Sequence, residues 1–364
     1  MNTGDTISHY MLGPQLGQGG FGKIFAARDV RDGKVYALKA ESELSNRKSL
    51  EFETKVLERI KTIRYFPQIR EHGVYHNYHW LTLELIGPSL SAILKERTDH
   101  KFSLSTALRA SIHVLRSIKS LHALGFIHRD IKPANILVRV SHGLPLCLID
   151  FGLVRVYRDQ KTHAHIPPRQ HTGFRGTKTY ASVNAHVLSD LSRRDDLISW
   201  VYFTICLMVG GLPWQGVNDN SEVMRMKHEF NVKEAVKNVC PEFVEVWPLV
   251  VGLRFEDDPN YDALEEILIK ACETRGYKGT DPYDWDEYVQ RYKDTLARNF
   301  GMKFNDEGLD PRTYMTELGL PPPALLGIAG IKQPLLAGKK EYREQSSMQL
   351  SELNEKDEIG CCCC

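Results

Sequence analysis

The chain of 364 residues is long enough for one or two domains with a large buried core. Charged residues make up 26% of it and hydrophobic residues 42%, which is ordinary for a globular protein. Its 47 basic and 46 acidic side chains leave a formal charge of +1, so we expect no nucleic-acid partner. The longest apolar run, residues 197–209, is too short to cross a bilayer and predicts a buried core helix. The first residues lack a signal peptide, and we expect a cytoplasmic protein.

Residues 10–39 alternate apolar positions with glycine-rich turns, a pattern that predicts β-strands. Gly17, Gly19 and Gly22 form a G-x-G-x-x-G pattern between two strands, whereas a dinucleotide fold needs it between a strand and a helix. A hairpin of this kind can bring backbone amides close to phosphates, because no side chains intervene. The alternative is an ordinary glycine-rich turn.

The strand that follows ends in Lys39, and an amphipathic helix around residues 50–60 carries Glu53. A lysine at this position could neutralise nucleotide phosphates, and a glutamate could hold it in place. Both could instead be solvated surface charges. The glycine-rich turn a short distance upstream favours the phosphate-binding interpretation.

A strand over residues 78–85 is broken at Gly87-Pro88, which predicts a hinge between a small β-rich lobe and a larger helical one. Leu83 would line the back of an adenine pocket, and Glu84 and Leu85 would offer backbone groups to the adenine edge. Helices are predicted over residues 89–95 and 105–124.

Residues 128–135 read His-Arg-Asp-Ile-Lys-Pro-Ala-Asn, with an acid at Asp130 and an amide five residues later at Asn135. This spacing suits a loop that positions a hydroxyl and a metal ion together, and it is the catalytic-loop signature of protein kinases. A strand then ends in Asp150-Phe151-Gly152, where Asp150 supplies a second oxygen ligand for a phosphate-bound Mg²⁺. Five such elements in one order make a chance match improbable.

The chain therefore resembles the protein kinases. The resemblance implies a two-lobed α+β fold over residues 9–297, with a small antiparallel β-rich N-lobe containing one helix (about 9–86) and a mainly helical C-lobe (about 87–297). Residues 298–364 are expected to be a largely flexible tail. Residues 85–90, Leu-Ile-Gly-Pro-Ser-Leu, and 180–184, Tyr-Ala-Ser-Val-Asn, resemble the casein kinase 1 family. Residues 167–177 and 181–186 look most like the tau-tubulin kinase group within it.

The resemblance implies that a monomer transfers the γ-phosphoryl group of ATP to Ser or Thr hydroxyls of protein substrates. The three glycines would close over the phosphates, and Ile24, Ala37 and Leu137 would sandwich the adenine. Lys39, held by Glu53, would contact the phosphates. The resemblance also implies that Asp130 would orient the substrate hydroxyl and accept its proton, and that Lys132 would stabilise the charge on the transferred phosphoryl group. Asn135 and Asp150 would be Mg²⁺ ligands. Asp196 would be a structural anchor of the catalytic loop.

The alternative is a pseudokinase that acts as a scaffold or binding module. Such proteins generally lose the nucleotide-binding lysine, the catalytic aspartate or the metal-binding aspartate, whereas this chain retains Lys39, Asp130 and Asp150.

A basic stretch follows the second aspartate motif, with six Lys or Arg between residues 154 and 179 against one acid, Asp159. It predicts a preference for acidic or phosphorylated substrates near Arg175 and Lys178, and the alternative is a solvated loop. Casein kinase 1 enzymes typically carry an arginine where this chain has Thr179, so their priming-phosphate site does not transfer directly.

The sequence ends in four cysteines, Cys361, Cys362, Cys363 and Cys364. Adjacent cysteines cannot wrap one zinc ion, and cysteine suits the middle and last positions of a prenylation motif poorly. S-palmitoylation is the favoured interpretation, and two or more acyl chains would anchor the protein to the cytoplasmic face of a membrane. A free thiol cluster without a role remains the alternative.

Truncation after residue 360 should release the protein from membranes into the soluble fraction, because the acidic segment upstream cannot replace the lost acyl chains. Fractionation of cells that express the full-length and truncated chains measures this. Unchanged membrane fractionation would reject the anchor.

Overall fold

The computed structural model of this chain describes residues 1–19, 22–44, 49–140, 144–159, 161–170 and 172–301. Residues 20 and 21, within the glycine-rich pattern of the sequence, lie outside these ranges, as do residues 302–364. The predictions made for the four terminal cysteines therefore concern residues outside the described part of the chain.

A six-stranded antiparallel sheet forms the first lobe. Its strands are β1 (Thr6–Ile7), β2 (Tyr10–Gly19), β3 (Gly22–Asp29), β4 (Val35–Ser42), β5 (Ile69–Tyr75) and β6 (Tyr78–Glu84). They lie in the order β1-β2-β3-β4-β6-β5. A turn containing Asp32 and Gly33 joins β3 to β4, and Gly33 adopts a φ of +71° there, a conformation that glycine reaches without strain.

Helix α1 (Leu50–Ile60) lies between β4 and β5 in the chain and contacts the sheet. Its apolar residues Leu50, Leu57 and Ile60 recur at helical spacing and are fully buried. Glu53 falls on this same face, at one turn from Leu50 and Leu57, and is also buried. A carboxylate in an apolar stripe requires a partner, and the active site supplies it.

The chain crosses between the lobes at residues 86–89, where the sequence predicted the hinge. A Cβ atom at Gly87 would lie 2.2 Å from the carbonyl oxygen of Val138. The amides of Val138 and Val140 donate to the carbonyls of Pro88 and Ile86 at 2.8 Å and 3.1 Å. The crossing segment therefore packs directly against C-lobe backbone, and no side chain fits at residue 87.

The second lobe is mainly helical, and the predicted two-lobed α+β fold is confirmed. Its helices are α2 (Leu90–Glu96), α3 (Leu104–Ala123), α4 (Val183–His186), α5 (Arg193–Val209), α6 (Asn220–Glu229), α7 (Val232–Val236), α8 (Val246–Val251), α9 (Tyr261–Thr274) and α10 (Asp286–Phe300). Two short antiparallel pairs line the cleft side, β7 (Phe126–Ile127) with β10 (Arg155–Val156) and β8 (Ile136–Val138) with β9 (Leu146–Leu148).

Helix α5 forms the centre of this lobe, with α3, α7 and α8 packed against it. Nearly all of its side chains are buried, including Trp200 and Phe203, as expected of a helix that is apolar on every face. This confirms the buried core helix predicted from residues 197–209. Among the residues described, none of the helices combines the length and apolar composition needed to span a bilayer.

Candidate active site

One face of the N-lobe sheet carries the predicted pocket residues. Ala37 pairs with Leu83 across β4 and β6, and Ile24 pairs with Lys39 across β3 and β4. Because side chains alternate between faces, residues two apart on a strand share a face, so these four lie together. Leu137, on β8, forms an isolated β-bridge with Ser89 at the end of the crossing segment. The apolar members are only partly buried, as expected for the wall of an open cleft.

The glycines lie at the end of the β2–β3 hairpin, where Gly17 pairs with Ile24 and Gly19 with Gly22. At Gly17 a Cβ atom would meet nothing within 4 Å, so its backbone borders open space. Gly22 has a φ of +114°, and a Cβ atom there would lie 2.3 Å from the carbonyl oxygen of Ala40. Gly22 is therefore needed for the approach of β3 to β4, in addition to its predicted place over phosphates.

Lys39 lies between two carboxylates at the back of the cleft. Its Nζ is 2.5 Å from Oε2 of Glu53 and 3.8 Å from Oδ1 of Asp150. Burial alone would lower the pKa of Lys39, but the charges of Glu53 and Asp150 outweigh it and leave that pKa raised. The lysine is therefore held as a cation, as the sequence predicted for Lys39 and Glu53.

Part of the hinge backbone is already hydrogen-bonded within the protein. The amide of Glu84 donates to the carbonyl of Gln68 at 2.9 Å, so this amide is not available to a nucleotide. Within the described residues, no hydrogen bond engages the backbone of Leu85. The side chain of Glu84 accepts from the guanidinium of Arg139 at 2.5 Å, a contact between the lobes that the sequence did not predict.

The catalytic loop brings together the predicted residues and one that was missed. Lys132 Nζ lies 2.6 Å from Oδ2 of Asp130, and the amide of Asn135 donates to that oxygen at 3.1 Å. The hydroxyl of Thr177 donates to Oδ1 of Asp130 at 2.7 Å and accepts from Lys132 at 2.8 Å. Thr177 was not among the predicted site residues, and its place directly after Gly176 is the only local signal.

Asp150 and Asn135 are suitable ligands for a cation. Asp150 has a φ of +69°, and within the described residues its buried Oδ1 accepts no hydrogen bond. The amide of Ile149 donates to the carbonyl of Asn135 at 2.9 Å, which brings these two positions together. Two protein oxygen ligands suit Mg²⁺, which otherwise keeps water and phosphate ligands. The residues present therefore fit the predicted metal.

Asp196, at the start of α5, anchors the catalytic loop through hydrogen bonds. Its carboxylate accepts the backbone amides of His128 and Arg129 at 2.7 Å each and Nε2 of His122 at 2.8 Å. Burial would raise the pKa of Asp196, but the His122 and His128 contacts lower it, so the group stays ionised. Arg129 has a φ of +69°, a conformation that costs about 1–3 kcal/mol and needs such support.

The segment after β10 is also held by a buried carboxylate. Asp190 accepts from the guanidinium of Arg155, and from the backbone amide of Arg169 at 2.9 Å. Ser182 and Asn184 both donate to Oδ1 of Asp195, at 2.6 Å and 2.8 Å. Two aspartates therefore fix this segment to α5 and the loop before it.

Replacing Asp196 by asparagine should lower the free energy of unfolding by about 3–5 kcal/mol, the range for breaking a buried charged network. The amide has one acceptor oxygen where the carboxylate has two, and its NH₂ group would face a backbone N–H. Urea denaturation measures the change, with Asp262→Asn on the exposed side of α9 as the matched control. A loss no larger than in the control would contradict the anchoring role.

Residues 10–275 match the family model described as the protein kinase domain. A probable serine/threonine-protein kinase of Dictyostelium discoideum is 34% identical over 274 residues, which are 75% of this chain and 55% of that protein. The chain thus spans about half the length of this relative. The match covers both lobes and every site residue described above. This chain belongs to the protein kinase family.

Proposed function

We propose that this protein is an ATP-dependent serine/threonine protein kinase. The observation that carries the proposal is the hydrogen-bonded group of Asp130, Lys132 and Thr177, together with the separate Lys39–Glu53 ion pair. An acid with its carboxylate held by a lysine and a threonine suits a hydroxyl acceptor, because both contacts fix the direction of its oxygens.

In this proposal Asp130 orients the substrate hydroxyl and accepts its proton. Lys132 lies beside it and stabilises the negative charge of the phosphoryl group in transit. Lys39 binds the ATP phosphates under the glycine-rich hairpin. Asn135 and Asp150 would hold Mg²⁺, which supplies charge neutralisation for those phosphates. The protein acts mainly by positioning charges, so each of these side chains should matter greatly.

We also propose that the protein belongs to the casein kinase 1 family, nearest to the tau-tubulin kinase group. The motifs at residues 85–90 and 180–184 support this. In the second motif Ser182 and Asn184 bind Asp195, which gives the unusual residues a defined structural use. A phylogeny that placed residues 9–297 outside this family would overturn the assignment.

Asp130→Asn should reduce phosphoryl transfer from radiolabelled ATP to a serine peptide by about 10²–10⁴-fold, the usual contribution of a general base. Asp262→Asn, an exposed acid outside the site, should match the wild type. Wild-type transfer no greater than that of Asp130→Asn would favour the scaffold alternative.

Two basic side chains near the catalytic group support a preference for acidic or phosphorylated substrates. Lys178 donates to the carbonyl of Asn218 at 2.6 Å, and Arg175 is exposed and contacts the carbonyl of Phe174. Within the described residues neither contacts a carboxylate, so both charges are uncompensated. Two others in the same stretch, Arg155 and Arg169, are both paired with the carboxylate of Asp190, which reduces their contribution.

Serine peptides with an acid or phosphate near the target should have a kcat/KM higher than neutral peptides, by about twofold to fivefold per exposed charge pair. The double variant Arg175→Gln, Lys178→Gln should lose the difference. Arg225→Gln should retain it, since Arg225 is paired with Glu222 and Glu229. Equal kcat/KM for charged and neutral peptides in the wild type would contradict the preference.

A further inference from the structure

Lys227, on α6, is a buried cation outside the catalytic group. Only 3% of its surface is exposed. Its ammonium donates to the carbonyls of Lys178 and Ala181 at 2.7 Å and 2.5 Å, and lies 3.1 Å from Nε2 of His186. A lysine has three N–H donors, so these three acceptors use all of them. Lys227 is therefore unavailable to bind a phosphate on a substrate.

His186 is oriented to complete this arrangement. Its Nδ1 lies 2.8 Å from Oδ1 of Asn220, an acceptor, so the ring proton is on Nδ1. The lone pair of Nε2 then accepts from Lys227. Burial, with the nearby charge of Lys227, lowers the pKa of His186 and keeps the imidazole neutral.

Within the described residues no carboxylate contacts Lys227. The rings of Tyr202 and Trp214 lie 5.3 Å from its ammonium and offer only weak attraction. Burial lowers the pKa of Lys227 to about 7, which reflects the cost of holding an ammonium away from water. Burying the ammonium of Lys227 costs free energy, and most of its contacts are backbone carbonyls. We therefore infer that Lys227 fixes that backbone.

The backbone that Lys227 fixes is residues 178–181, and side chains bind the carbonyls of residues 178, 179 and 181. The indole of Trp214 donates to the carbonyl of Thr179 at 2.7 Å, between the two carbonyls bound by Lys227. This segment begins directly after Thr177, whose hydroxyl binds Asp130. The amide of Ala181 in turn donates to the carbonyl of Thr177 at 2.9 Å. The Lys227 contacts and the catalytic carboxylate are therefore joined by five consecutive residues.

We propose that Lys227 is a positioning residue that holds residues 178–181 as the wall against which the peptide substrate lies next to its target hydroxyl. This inference rests on the proposed kinase function. A peptide whose hydroxyl reaches Asp130 must pass beside Thr177 and the residues that follow it. Lys227 contacts neither ATP nor the reacting atoms, so its effect falls on the peptide alone.

Lys227→Met keeps the length of the side chain but removes all three donors. The KM for a peptide should rise about tenfold, while the KM for ATP and the slow hydrolysis of ATP by water in the absence of peptide stay unchanged. Lys237→Met, on an exposed lysine paired with Glu234, is the matched control and should change none of the three.

The second variant is Lys227→Gln, which retains two N–H donors. It tests the same inference if the methionine variant does not fold. Its peptide KM should rise about threefold with the KM for ATP unchanged. An unchanged peptide KM in the variant that folds would overturn the inference, and so would an equal loss of peptide-free ATP hydrolysis. Absence of transfer by the wild type would instead overturn the proposed function.

Discussion

The carboxylate of Asp196 is the contact on which the geometry of the active site depends. It binds the two successive backbone amides of His128 and Arg129, and so holds Arg129 in a conformation that the residue would not adopt alone. The next residue is Asp130, whose direction is set by that turn. Because Asp196 belongs to α5, the orientation of the acid is coupled to the buried central helix of the lobe.

The charged residues of the site are paired before any substrate arrives. Lys39 has Glu53, and Asp130 has Lys132 together with the hydroxyl of Thr177. Such pairing lowers the reorganisation needed during the reaction, since the side chains already point where charge will develop. Asp150 is held less tightly, because Lys39 lies 3.8 Å from its Oδ1 and that buried oxygen accepts no hydrogen bond within the described residues. That oxygen identifies the position where a cation fits.

Local spacing was enough to predict the two lobes, the hinge, the buried helix and the residues of the catalytic loop, because each depends on a short run of sequence. Contacts between residues far apart in the chain could not be predicted in this way. Arg139 and Glu84 are 55 residues apart, and Arg155 and Asp190 are 35 apart. The count of basic residues in that stretch therefore included Arg155 and Arg169, which are both paired with Asp190. Lys227 carried no local sign that it was buried, because its partners are mostly backbone carbonyls.

The burial of α5 on every side has a consequence for synthesis of the chain. The helix ends at Val209, whereas α7 and α8, which cover it, end at Val236 and Val251. A ribosome therefore exposes the apolar run at residues 197–209 before the helices that cover it have emerged. During that interval the segment is a site for chaperone binding or aggregation. The same helix that makes the finished lobe rigid is thus its most vulnerable part while the protein is being made.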